Sequence, residues 1–257
     1  MIPTQIRSIC YFELKKAVRD RVLHVLAGIG IVTMVFAVFL GNVSIGGNNR
    51  VVVSMSFWVL GILGLVGAVY LGAQLIREEK KDKILYLIFS RPIKRHVYLY
   101  GKCISLVFTL FFLYIPLVLF MIVLMYLLSL PLNSGFFIAW AFIFGEWIIL
   151  CSFSLFFASF TSPLLHVVFT SGIYFFGHWS GDLIILNKNL TSDFLKICIQ
   201  TLYYSIPNLE VINFRSFALY DKVITSSMIF QGVGLIILWT CTAMIAAQII
   251  FLRRTLQ

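Results

Sequence analysis

The chain is expected to fold as an all-α integral membrane protein with six transmembrane helices and an amphipathic helix ahead of them. Three observations predict this. Of its 257 residues, 61% are hydrophobic and only 12% are charged, against about 45–50% and about 25% in soluble domains. Several uncharged runs exceed the roughly 20 residues that cross a ~30 Å hydrocarbon core at about 1.5 Å per residue. No stretch alternates apolar and polar residues as barrel strands do.

The elements follow in order. From Gln5 to Arg19, the apolar residues Ile6, Ile9, Cys10, Leu14, Ala17 and Val18 recur at helical spacing, with Arg7, Lys15, Lys16 and Arg19 between them. The pattern predicts a helix over 5–19 lying in the membrane interface. The first span is 22–40, ended by the Gly-rich GNVSIGGNNR, and the second is 51–76, long enough to tilt. Residues 77–102 form a charged cytoplasmic segment. The third span, 103–130, is closed by Pro131 and Asn133; the fourth, 136–160, is closed by the turn at Thr161 to Pro163. A fifth is expected over 164–186, carrying the interruption GHWSGD. A polar, amphipathic connection over 187–226 leads to the sixth span, 228–252, and Arg253 and Arg254 follow. Within the connection, Ser192 to Ser205 places Phe194, Leu195, Cys198, Ile199 and Leu202 on one apolar face, ended by Pro207. This reads as a helix lying on the outer leaflet or capping a pathway. All 257 residues belong to a single transmembrane domain.

Charge sets the orientation. The N-terminal helix region holds five Lys and Arg, the 77–102 segment eight and the C-terminal end two, against Arg50, Lys188, Lys196, Arg215 and Lys222 on the other side. The excess places both termini and the charged segment in the cytoplasm. The same placement explains the net charge of +10 without nucleic acid as a partner. The charged lead before the first span and the lack of an A-x-A-like site predict that the N-terminus is retained. Five scattered cysteines show no C-x-x-C or Cys/His spacing and read as packing residues, with no metal. The sequons at Asn42 and Asn189 fall on the outer side and carry no inference of glycosylation.

The charged segment, REEKKDKILYLIFSRPIKRHVYLYGK, holds eleven of the thirty charged residues. Topology accounts for its Lys and Arg but not for an apolar stretch between two charge clusters. On a helix, Ile84, Leu85, Ile88 and Phe89 share a face, and Ser90, Arg91 and Pro92 stop it. Such a face must be buried in headgroups or in a partner protein. Glu146 is the one carboxylate clearly inside a hydrocarbon stretch, where an uncompensated charge costs at least ~2.5 kcal/mol. It must face protein or water, either as part of a substrate or ion pathway or as a hydrogen-bonded packing group. His178 and Asp182 stand at i and i+4 and could share a helix face. The pair offers too few ligands for a metal. Gly61, Gly64, Gly67 and Gly72 thin the second span, as Ala243, Ala246 and Ala247 thin the sixth, which favours close packing within the chain. No phosphate loop is present: Gly101-Lys102 is followed by Cys103, and His96 stands where the earlier glycine is needed.

The charged segment resembles the cytoplasmic loop of ABC-2 type permeases: an acidic and basic run, a short helix, S-R-P-I-x-R and Y-x-x-G-K. GHWSGDL at Gly177 to Leu183 and IPNLEVINF at Ile206 to Phe214 are similar to segments of the NosY-like branch of that family. With six spans and a leading interfacial helix, the resemblance covers essentially the whole chain. It implies an ABC-2, or type V exporter-like, half-transporter of a bacterial inner membrane, without catalytic residues of its own. Its partners would be two ATP-binding subunits, which hold ATP and Mg, a second copy of itself or a related permease, membrane lipid and an extracytoplasmic accessory protein. The resemblance assigns the ATPase contact, a coupling helix, to Glu78, Glu79, Leu85, Leu87, Ser90, Arg91, Pro92 and Arg95. Export is the expected direction.

Two alternatives belong to other classes. An ion-coupled secondary transporter would show inverted repeats and broken helices with midplane polar residues, whereas Glu146 is nearly alone. An intramembrane protease would need E-E-x-x-x-R and F-x-x-x-H. Here Lys83 takes the Arg position, and Ser162 and Tyr174 stand where Phe would precede His166 and His178.

Overall fold

The computed structural model describes residues 2–43, 48–81, 95–189 and 193–253, and every regular element within them is helical. Helix α1 (Ile2–Val18) is followed by α2 (Arg21–Val43), α3 (Asn48–Lys81), α4 (Arg95–Leu127) and α5 (Ser134–Ala158). After them come α6 (Pro163–His178), α7 (Ser180–Asn189), α8 (Asp193–Ser205), a 3-10 turn (Leu209–Ile212), α9 (Arg215–Leu219) and α10 (Ser226–Arg253). Among the described residues, five helices are long and apolar enough to cross a membrane: α2, α3, α4, α5 and α10. Large apolar side chains stand exposed along α2 (Val25, Ile29, Val32, Phe36) and α10 (Phe230, Ile237, Leu238). Exposure on that scale suits contact with lipid and would be a liability in water.

The expected fifth span, 164–186, is not one helix. It divides at Trp179, whose φ of −89° and ψ of 8° leave the α-helical region, into α6 of 16 residues and α7 of 10. Two contacts explain the break. A Cβ on Gly177 would lie 2.7 Å from Leu209 and 2.8 Å from the Pro207 carbonyl oxygen, and the Ser180 hydroxyl donates to Asn208 Oδ1 at 2.6 Å. The segments GHWSGDL and IPNLEVINF therefore meet, the 3-10 turn seating itself where the helix is interrupted. The 77–102 segment is also shorter as a loop than expected. Its first five residues continue α3, consistent with the good helix propensity of Arg, Glu and Lys, and 95–102 begin α4. The apolar stretch 84–89 lies outside the described residues.

Helices α3 and α5 form the centre, with α2 and α6 on α3, and α10 on α5. Glycines set these approaches. A Cβ on Gly64 would stand 2.0 Å from Trp147 Nε1, so the fully buried indole lies directly on α3 and donates to the Leu60 carbonyl at 3.1 Å. On the other side of α5, a Cβ on Gly145 would meet Ile236 at 2.3 Å, and one on Gly232 would meet Phe142 at 2.5 Å. Close backbone approach of this kind is the main source of helix association in lipid, where apolar burial alone gives little.

Helix α4 ends in a paired-carbonyl cap: Leu130 N donates to Met125 O at 2.9 Å and Ser129 N to Tyr126 O at 3.1 Å. Ser129 adopts the left-handed φ of 53° that this cap needs. Helix α1 packs on α4. Its Glu13 carboxylate pairs with the buried Lys102 ammonium, and Cys10 Sγ lies 3.6 Å from the Gly101 carbonyl oxygen. Asp20, just past α1, accepts from Val22 N at 2.9 Å, capping α2, and from the Tyr70 hydroxyl of α3 at 2.7 Å.

Candidate functional site

Glu146 lies twelve residues into α5, about 18 Å from the helix start at ~1.5 Å per residue. Its side chain is 4% exposed, and Arg215 Nη2 donates to its Oε2 at 2.7 Å. Arg215 comes from the connection between α8 and α10, the first residue of α9. The preceding IPNLEVINF segment delivers it: Leu209, Ile212 and Phe214 are buried, and the Phe214 ring packs against Phe142 of α5 at 4.6 Å between centroids. The 3-10 turn and α9 thus press into the bundle between α3, α5 and α6 as a cap.

Gly61 of α3 makes room for the guanidinium. A Cβ there would lie 2.9 Å from Arg215 Nη2, 3.2 Å from Nη1 and 2.9 Å from the Tyr174 hydroxyl. Burial works against the charge of Arg215, but the Glu146 carboxylate and the Tyr174 hydroxyl outweigh it and hold its pKa above the ordinary arginine value. The guanidinium is therefore always charged.

His178, at the end of α6, turns inward. Its Nδ1 lies 3.1 Å from the Tyr174 carbonyl oxygen and its Nε2 3.7 Å from Glu146 Oε1. The second separation is too long for a hydrogen bond. Glu146 Oε1, His178 Nε2 and Arg215 Nε are accordingly buried without a hydrogen-bond partner. Aromatic rings complete the surround: the Tyr174 and His178 rings lie tilted at 4.6 Å between centroids, and Tyr114 meets Trp147 edge-on at 4.9 Å. Chemically, the arrangement is a carboxylate in an aromatic, water-poor pocket, neutralised by one cation from outside the spans.

Asp182 does not join it. The break at Trp179 puts His178 and Asp182 on different helices, and Asp182 is exposed in the first turn of α7. Glu78 and Glu79 fall in the last turn of α3, and Arg95 is the first residue of α4. Leu85, Leu87, Ser90, Arg91 and Pro92 lie outside the described residues. Among the described residues, no group of three or more metal-ligating side chains occurs.

Arg215, which the sequence places only among the outer-side charges, is the residue that pairs with Glu146. The signal was there in part: a lone intramembrane carboxylate calls for a cation, and Arg215 directly follows the IPNLEVINF motif.

A second buried polar group sits nearer the other end of α5. The Ser154 hydroxyl donates to the Ala68 carbonyl at 2.7 Å and lies 3.0 Å from His166 Nε2, in space left by Gly72, where a Cβ would stand 2.1 Å from Ser154 Oγ. Both residues are fully enclosed, so this is a helix-to-helix tie with no access for a substrate.

No protein-family model matches the chain, and no curated protein matches it either.

Proposed function

We propose that the chain is the membrane-spanning permease subunit of an ATP-binding cassette transporter of the ABC-2 type. In this reading α6 and α7 together make the fifth of six crossings, both termini are cytoplasmic, and the membrane is a bacterial inner membrane. Two copies, or one copy and a related permease, pair with two ATP-binding subunits that hold ATP and Mg, and cargo moves outward. One observation carries the proposal. The charged segment resembling a coupling loop leaves α3 and enters α4, and the start of α4 is tied to α1 through Glu13 and Lys102.

A push on that segment would reach α3 and α4 together, with α1 as the brace in the interface. Helix α3 carries Gly61, so its displacement would act on the Glu146–Arg215 contact and on the cap. The test is copurification from native membranes. An ATP-binding protein should accompany the wild-type chain and be lost with Leu85→Asp plus Arg91→Glu. Its absence from the wild type, or its undiminished recovery with the double variant, would sink the docking assignment.

A further inference from the structure

We propose that the Glu146 pocket is a binding site for a small organic cation bearing a guanidinium or ammonium group, with Arg215 as a tethered group that fills the site from the cap. The inference does not rest on the transporter reading, and the two fail separately.

The first support is the form of the contact. A guanidinium meets a carboxylate best through two parallel N–H···O bonds. Arg215 makes one, through Nη2 to Oε2, and leaves Glu146 Oε1 and its own Nε buried without partners. The side chain, fixed to α9, reaches the carboxylate at an angle that an untethered cation would not be bound to. A free guanidinium can take both oxygens.

The second support is the pocket. Its walls include the Tyr174 and His178 rings, the Tyr174 hydroxyl and the side-chain-free surface of Gly61, and the space beside Gly61 holds the Arg215 guanidinium, so a flat cation of that size would fit there once Arg215 leaves. Aromatic faces attract such cations, more strongly when water is excluded.

The third support is the tether. Arg215 is held by a helix of five residues, and several contacts at the outer surface fasten the end of that cap. Asn133 Nδ2 donates to Asp221 Oδ1 at 2.8 Å, Arg50 lies over the Tyr220 ring and Lys222 over the Phe217 ring. Exposed contacts of this kind are weak. The body of the cap stays held by the buried Leu209, Ile212 and Phe214, so what gives way is Arg215 with its five-residue helix, and Glu146 then needs another cation.

The experiment uses the full-length chain in lipid nanodiscs and methylguanidinium chloride as the probe, against equal concentrations of potassium chloride. In Arg215→Ala, the probe should raise the unfolding temperature in proportion to the logarithm of its concentration. Adding Glu146→Gln should weaken its apparent affinity by at least about tenfold, the loss expected for a charge-assisted bond. Arg215→Gln, which keeps part of the stem, serves if the alanine variant does not fold. In the wild type the probe should speed amide hydrogen exchange over residues 209–219 as it displaces Arg215, and should not do so in Glu146→Gln. The wild-type arm stands whether or not either arginine variant folds. Stabilisation no greater than that by potassium chloride, stabilisation indifferent to Glu146→Gln, or unchanged wild-type exchange would each overturn the proposal.

Discussion

Removing one partner of a buried ion pair is far more damaging than removing both, because the survivor is left charged in a medium that solvates it poorly. Arg215→Ala and Glu146→Gln test this directly. The arginine variant should lose about 3–5 kcal/mol of stability, read as a fall in unfolding temperature, and the double variant should recover much of that loss. Strict additivity of the two effects would mean that the 2.7 Å contact contributes nothing specific. Glu146 was legible in the sequence because a carboxylate stands out in an apolar run. Its partner was not, since Arg215 lies sixty-nine positions away in a polar segment where a cation attracts no notice. The expected pairing of His178 with Asp182 failed for a related reason. The i,i+4 rule holds only along one helix, and the contact of Gly177 with Pro207 and Leu209 that accompanies the break at Trp179 is a tertiary one.

At the level of elements, glycine positions separate packing from propensity. Gly64 and Gly28 both sit within helices long and apolar enough to cross a membrane, but a Cβ on Gly64 would overlap the Trp147 indole whereas one on Gly28 would meet nothing within 4 Å. Gly64→Ala should therefore destabilise by roughly 1–3 kcal/mol, the usual range for overpacking. Gly28→Ala should be neutral or stabilising by up to about 1 kcal/mol through helix propensity. Thermal unfolding of both variants in the same lipid checks this, and equal effects would show that α3 and α5 are not in close contact at that level. Five of the six expected spans were legible because long uncharged runs have few alternatives in a chain of this composition. The division of the segment after Pro163 into α6 and α7 was marked by Gly177, Ser180 and Gly181 but not determined by them. What determines it is the docking of the 3-10 turn. The extension of α3 through Lys81 was hidden because charge reads as loop at a membrane edge, while Arg, Glu and Lys are good helix formers.

Taken as a molecule, the chain is tied at two ends by different contacts. At one, α1 and the adjoining ends of α3 and α4 are held together by Glu13 with Lys102 and by Asp20 with Tyr70. At the other, the cap drives Arg215 down to Glu146. The long helices α3 and α4 link the two, so force applied at the first end would be felt at the second. In the proposed transporter, the motor would be a separate ATP-binding subunit. The most direct measurement is ATP hydrolysis by the chain purified with whatever binds it from native membranes and reconstituted in nanodiscs. Hydrolysis should copurify with the wild-type chain and be lost with Leu85→Asp plus Arg91→Glu, while the variant's helical content is unchanged. Wild-type preparations free of ATP hydrolysis, or hydrolysis that persists in the variant, would contradict the proposed transporter.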